Sequence, residues 1–182
     1  MVNRIEKVSL EQLVGSSELV IVARPAEPPE RREKIDITPP GKKPSKEFPP
    51  YFRVRRRYVV EEILYSTSRA ASVIPPFPGQ VRVDDTPALG AVMEIDAECF
   101  KYELDVHRMW YVDGNPKGKL YHVYDAERPP GNSSGSRLVF LERRGGEHWH
   151  FTNDPGEEGI ELRARIEKLL ADMKPPPRWP PV

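Results

Sequence analysis

The chain has 182 residues, with 28 Lys and Arg balanced by 28 Asp and Glu, so its formal net charge is zero. That length suits one domain, and the balance excludes a uniformly basic nucleic-acid binder or a polybasic membrane-surface protein. The single cysteine, Cys99, excludes an internal disulfide and a multi-cysteine metal site.

Proline subdivides the chain. Most of the 21 prolines cluster at 25–50, 75–87, 129–130 and 175–181. Proline fixes φ and lacks an N–H, so these stretches are expected as loops or tails. The expected organisation is one domain over 1–174, with a Pro-rich loop at about 25–50, followed by a Pro-rich tail over 175–182. The opening MVNRIEKVSLEQL has no uninterrupted apolar region, so no signal peptide is expected. No apolar run approaches the ~20 residues of a membrane helix. The cytoplasm is the expected location, and a secreted mature chain lacking its leader is the alternative.

In chain order, Ser9-Leu10-Glu11-Gln12 has the form of a capping box. Leu10, Leu13 and Val14 then share one helical face and Gly15 can stop the turn, which predicts a short helix over about 10–14. Glu18 to Arg24 (ELVIVAR) is a continuous apolar run too short for a typical helix, and it predicts a buried strand. The charged segment 25–50 is expected as a loop.

Tyr51 to Tyr65 (YFRVRRRYVVEEILY) opens with strict alternation. Phe52, Val54, Tyr58 and Val60 face one way, and Arg53, Arg55 and Arg57 face the other. Arg56 interrupts the apolar side, and the phase shifts after Val60, which predicts a bulge near Glu61-Glu62. Gly79 to Asp84 reads as another short strand. Asp96 to Gly114 carries both strand alternation and helical spacing, with the exposed composition favouring helix. Leu120 to Tyr124 reads as a short strand and GNSSGS, 131–136, as a flexible loop. Arg137 to Thr152 reads as a hairpin turning at Gly145-Gly146. Asp154-Pro155 reads as the start of a last helix, about Glu157 to Met173, with Leu162, Ile166, Leu169, Leu170 and Met173 as its apolar stripe. Lys174 and Pro175 end it.

The order SLEQLVGSSELVIVA, YFRVRRRYVVEEILY, PGQVRVD and RLVFLERRGGEHWHFT resembles a pattern of uncharacterised bacterial proteins. These are five-stranded OB-type barrels related in architecture to the netrin module and to tissue inhibitors of metalloproteases. The resemblance spans about two thirds of the chain and implies a fold. Inhibitors of that class approach the protease metal through an N-terminal cysteine. This chain begins Met1-Val2-Asn3, so the inhibitory role does not carry over, and fold alone does not define function. The expected class is mainly β (α+β): a small OB-like barrel or curved antiparallel sheet with a C-terminal amphipathic helix.

Four groups of residues are candidates for chemistry or contact. His148 and His150 flank Trp149, and period two puts both imidazoles on one strand face, the start of a metal site that His107 and His122 could complete if the fold brings them near. Glu103, Asp105 and Glu147 could add carboxylates. The same pattern is also what a solvent-facing strand with Trp149 turned to the core would carry. Arg53, Arg55 and Arg57 would stand ~7 Å apart, close to the spacing of phosphates along one nucleic-acid strand. OB barrels bind single strands with such a groove plus aromatic platforms, but here Phe52 and Tyr58 take the opposite face. A charged edge strand kept soluble would look the same. Glu61-Glu62, Asp84-Asp85 and Glu157-Glu158 are adjacent carboxylates that point oppositely on a strand, so they read as surface charge or helix-start preference. Trp179, beside Arg178, is an aromatic anchor on a stiff extended tail.

No GxSxG, phosphate-binding glycine loop, HExxH or EF-hand pattern occurs, so no catalytic residue and no cofactor is expected. Cys99 reads as a small buried apolar residue. The expected function is a non-catalytic protein-binding or structural module whose partner is another protein or a second copy. Metal binding through His148 and His150, and single-strand nucleic-acid binding through Arg53, Arg55 and Arg57, are the alternatives.

Overall fold

A computed structural model describes residues 4–35, 38–43, 46, 51–72, 84–97, 120–143, 149–153 and 156–173. The elements are β1 (Arg4–Lys7), α1 (Leu10–Ser16), β2 (Leu19–Ile35), β3 (Tyr51–Ser66), α2 (Thr67–Ser72), β4 (Val92–Ala97), β5 (Leu120–Val123), β6 (Arg137–Arg143), β7 (Trp149–Phe151) and β8 (Glu157–Gly159). A 3-10 turn over Ile160–Leu162 leads into α3 (Arg163–Asp172). β1 and β5 form a separate parallel pair. The other strands form a mixed sheet in the order β2-β3-β4-β7-β6-β8, and β2 also pairs with β6. Five strands, β2, β3, β4, β7 and β6, thus close into a ring. The closure between β4 and β7 is a single parallel bridge, Asp96 to His150, so the ring is irregular rather than a full barrel.

Two cores explain the two most apolar runs. In β2, Leu19, Ile21 and Ala23 point into the ring, where they meet Tyr58, Val60, Met93, Ile95, Val139, Leu141 and Phe151. Val20 and Val22 point outward and pack with Leu138 and Phe140 of β6 against Leu10, Leu13 and Val14 of α1 and Ile166 of α3. The strands run antiparallel, with Leu19 opposite Leu141 and Ile21 opposite Val139. Strands covered on both faces lose the polar alternation and read as continuous apolar segments, as LVIVA and LVFL do. Each large aliphatic side chain fully buried here contributes about 1.5–3 kcal/mol.

Local signals place the helices. Ser9 accepts from the Gln12 N–H at 3.1 Å and the Gln12 side chain accepts from the Ser9 N–H at 2.9 Å, the capping box expected for α1. α3 buries Ile166 completely, and Leu162, Leu169, Leu170 and Met173 line the same cluster, as the stripe requires. The helix begins later than expected, however. Residues 157–159 are strand β8, paired with Val139, Leu138 and Arg137. The stripe is right and its start is not, because Glu157 and Glu158 are drawn into the fold instead of capping a helix.

The expected loop over 25–50 is also corrected. β2 continues through Pro25 to Ile35, still paired with β3. Pro28 and Pro29 are tolerated because the ladder is suspended there: Ala26, Glu27, Pro28 and Pro29 fall between the Pro25–Tyr58 and Glu30–Arg56 pairs. Pairing with β6 has ended at Ala23, so no ladder on that side needs the missing N–H groups. A turn at Pro39–Lys42, closed by Lys42 N–H to the Pro39 carbonyl at 3.1 Å, uses Gly41 at φ 79°, a left-handed conformation suited to glycine. The bulge expected near Glu61-Glu62 is present. Val22 faces Glu62 and Ala23 faces Val60, which leaves Glu61 without an opposite residue.

The antiparallel pairing of Arg137–Arg143 with Trp149–Phe151 and the 120–123 strand match expectation, while the Gly145-Gly146 turn lies outside the described residues; β1, α2 and β4 were not anticipated. Asp96 and Ala97 are strand residues. The rest of 96–114, and the Gly79–Asp84 strand apart from Asp84, lie outside the described residues. Among the described residues no helix is long and apolar enough to cross a membrane.

Candidate interaction surface

Arg53, Arg55 and Arg57 do share the outer face of β3, while Arg56 and Tyr58 turn inward. Their surroundings depend on β2 and β4. Arg55 pairs in register with Asp96 and Arg57 with Glu94. Arg55 Nε donates to Asp96 Oδ1 at 3.1 Å, and Arg55 Nη1 lies 3.7 Å from Glu94 Oε2. Arg57 Nε lies 3.7 Å from Glu94 Oε1, and Arg57 Nη1 donates to the Pro28 carbonyl at 3.0 Å. From β2, Arg31 adds a third guanidinium to Glu94 at 3.5 Å. The three arginines, alike in the sequence pattern, therefore differ in their surroundings. Arg53 is exposed, whereas the Arg55 and Arg57 side chains keep only 20% and 23% exposure. Arg53 is the one of the three with no acidic partner among the described residues. The missed partners lie in VMEID, 92–96, whose alternation sends Met93 and Ile95 inward and Glu94 and Asp96 outward.

The outer face continues onto β7. His150 lies between Glu142 and Asp96 in register, with Nε2 4.0 Å from Asp96 Oδ2. Its Nδ1 is buried and has no hydrogen-bond partner among the described residues. Trp149 turns the other way, half-buried against the ring core, with the Arg143 guanidinium 4.7 Å above its ring. His148 lies outside the described residues, as do His107, Glu103, Asp105, Glu147, Cys99 and the tail with Arg178 and Trp179. The His122 backbone is in β5. Among the described residues no three or more His, Cys, Asp or Glu side chains converge as a metal site would need.

The adjacent carboxylates Glu157 and Glu158, read from sequence as surface or helix-start residues, are both buried. Their opposite directions are as strand geometry requires. Glu157 enters the ring, accepts from the Tyr58 hydroxyl and lies 3.6 Å from Arg56 and 3.7 Å from Arg137. Burial raises its carboxyl above the ordinary glutamate range, and the Arg56 charge opposes that rise. Arg137 is lowered by its own burial and by Arg56, and it is held by the Asn132 carbonyl at 2.7 Å. Arg56 also stands 5.8 Å over the Phe151 ring. Glu158 points to the second core, fully buried. It accepts from the Tyr124 hydroxyl and from the N–H groups of Glu127 at 2.6 Å and Arg128 at 2.9 Å. Burial first, and then Glu158, push the Tyr124 phenol well above its ordinary range.

These acids are occupied as structural acceptors, one clamping the ring and the other docking the 124–128 segment. What stands out on the exterior is the β2–β3 ribbon. It outruns the ring: β6 leaves β2 at Ala23 and β4 leaves β3 at Val54, while the two strands stay paired to Ile35 and Tyr51. Glu30 to Lys34 are all exposed. No known protein family, curated protein or solved structure matches the chain.

Proposed function

We propose that the chain is a non-catalytic protein-binding module and that the β2–β3 ribbon is its contact element. The observation that carries this reading is the length of the ribbon beyond the ring. A two-stranded ribbon is marginal by itself in water; beyond Arg32 and Val54 the pair has no third strand among the described residues, and from Arg24 onward β2 has no strand on its second side among them. A partner that covers the ribbon would supply the burial it lacks. The neutralisation of Arg55 and Arg57 by Glu94 and Asp96 weighs for a protein partner over a nucleic acid, since phosphate binding needs uncompensated cations.

The test is site-specific photo-crosslinking in the organism that makes the chain. A photoreactive residue replaces Lys34 or Arg53 on the ribbon, or Lys168 on α3 as control. The ribbon positions are expected to give discrete adducts and the control none. Absence of ribbon adducts, or the same adducts from position 168, overturns the proposal.

A further inference from the structure

From Arg24 to Ile35 the second edge of β2 has no partner strand among the described residues. Such an edge offers main-chain N–H and C=O groups to an incoming strand. Charges on an edge ordinarily repel strands, but the order of signs decides which ones. Glu30-Arg31-Arg32-Glu33-Lys34 reverses sign on reflection about Arg32. An antiparallel copy related by a two-fold axis at Arg32 sets Glu30 opposite Lys34 and Arg31 opposite Glu33, each twice by symmetry. Directly opposite residues are close enough for their charges to matter.

Other registers fare worse. Centring on Glu33 sets Arg32 opposite Lys34, and a parallel in-register pair sets every charge against itself. At the favoured axis only Arg32 meets its own copy, and Glu30 already holds that guanidinium at 3.2 Å. Glu33 and Lys34 have no ion-pair partner within the chain among the described residues, so they are available to a neighbour.

We infer that two copies of this chain associate by antiparallel pairing of their β2 edges about Arg32. The inference rests on the ribbon reading above and names its occupant as a second copy.

Sedimentation equilibrium of the full chain over a range of concentrations tests it. The wild type is expected to dimerise, less tightly as salt screens the exposed pairs. E30K alone or K34E alone places like charges opposite each other at two symmetric sites and should weaken the dimer by about tenfold or more. A 1:1 mixture of E30K and K34E restores opposite signs at both sites and should recover a heterodimer, as should the double variant E30K/K34E. Circular dichroism identical to wild type excludes misfolding as the cause. A monomeric wild type, or a K34E dimer as tight as wild type, overturns the two-fold pairing. If the wild type is monomeric yet a crosslinker at position 34 captures a different protein, the dimer falls and the ribbon reading stands. If it captures nothing, both fall.

Discussion

Glu158→Gln tests whether the buried carboxylate docks the 124–128 segment. The substitution keeps shape and replaces one carboxylate oxygen by NH2. Oε1 accepts from the Tyr124 hydroxyl and the Glu127 N–H, and Oε2 accepts from the Arg128 N–H. Whichever way the amide turns, its NH2 meets a backbone N–H, so at least one charge-assisted hydrogen bond is lost and donors are left facing one another. A hydrogen bond to a charged group contributes about 1.5–3 kcal/mol, and a buried donor left unpaired costs about 1–3 kcal/mol. Glu127 and Arg128 are exposed as residues, so water can relieve part of this, and the expected loss is about 2–4 kcal/mol. At roughly 2–4 °C per kcal/mol for a chain of this size, the melting temperature should fall by about 5–15 °C. Thermal unfolding followed by circular dichroism measures it, with urea unfolding at unchanged m-value as a check on the two-state transition. Tyr124→Phe removes one of the three donors and should cost less, and the double variant should be less than additive because both lesions act on one network. A melting temperature within about 1 °C of wild type would refute the docking role.

Three further outcomes are expected. Glu157 binds its proton more tightly folded than unfolded, so its contribution to stability is present below the ordinary glutamate value of 4.5 and is lost as pH rises through its raised value. In urea unfolding across that window, the stability of wild type minus Glu157→Gln should decline as pH rises, and a flat difference would contradict the buried placement. Ile166→Ala, at the fully buried centre of α3, should cost about 2–5 kcal/mol by cavity formation; unchanged thermal stability would mean that α3 does not pack on the ring. Arg53→Ser should stay within about ±0.5 kcal/mol, while Arg55→Ser, which strands Asp96, should cost about 1 kcal/mol. Equal effects in chemical unfolding would show that Glu94 and Asp96 do not distinguish the two.

What could be read from the sequence was local. The capping box at Ser9, the apolar runs at 19–23 and 138–141, the alternation of 51–60, the phase shift at Glu61 and the stripe around Ile166 each depend on residues a few positions apart. Backbone periodicity turns such spacings directly into faces. The surface now proposed was half visible: Arg53, Arg55 and Arg57 were legible as one face, but not the Glu94 and Asp96 that neutralise two of them. The Pro-rich composition of 25–50 concealed a strand, because proline's penalty depends on whether a neighbour needs its N–H, and along this stretch of β2 the ladder is either interrupted or open on one side.

Tertiary structure decided what lies opposite what. Leu19 meets Leu141, and Tyr58 meets Glu157, across about a hundred residues of chain, and no periodicity encodes such a pairing. The same holds for the paired carboxylates. On sequence, Glu157-Glu158 is an ordinary charged helix start. In the fold one enters the ring and the other the helix-covered core, because β8 pairs with a strand buried on both faces. Burial of a charge is favourable only where donors from distant segments converge, and here Tyr58, Arg56 and Arg137 serve one acid while Tyr124 and the 127–128 backbone serve the other.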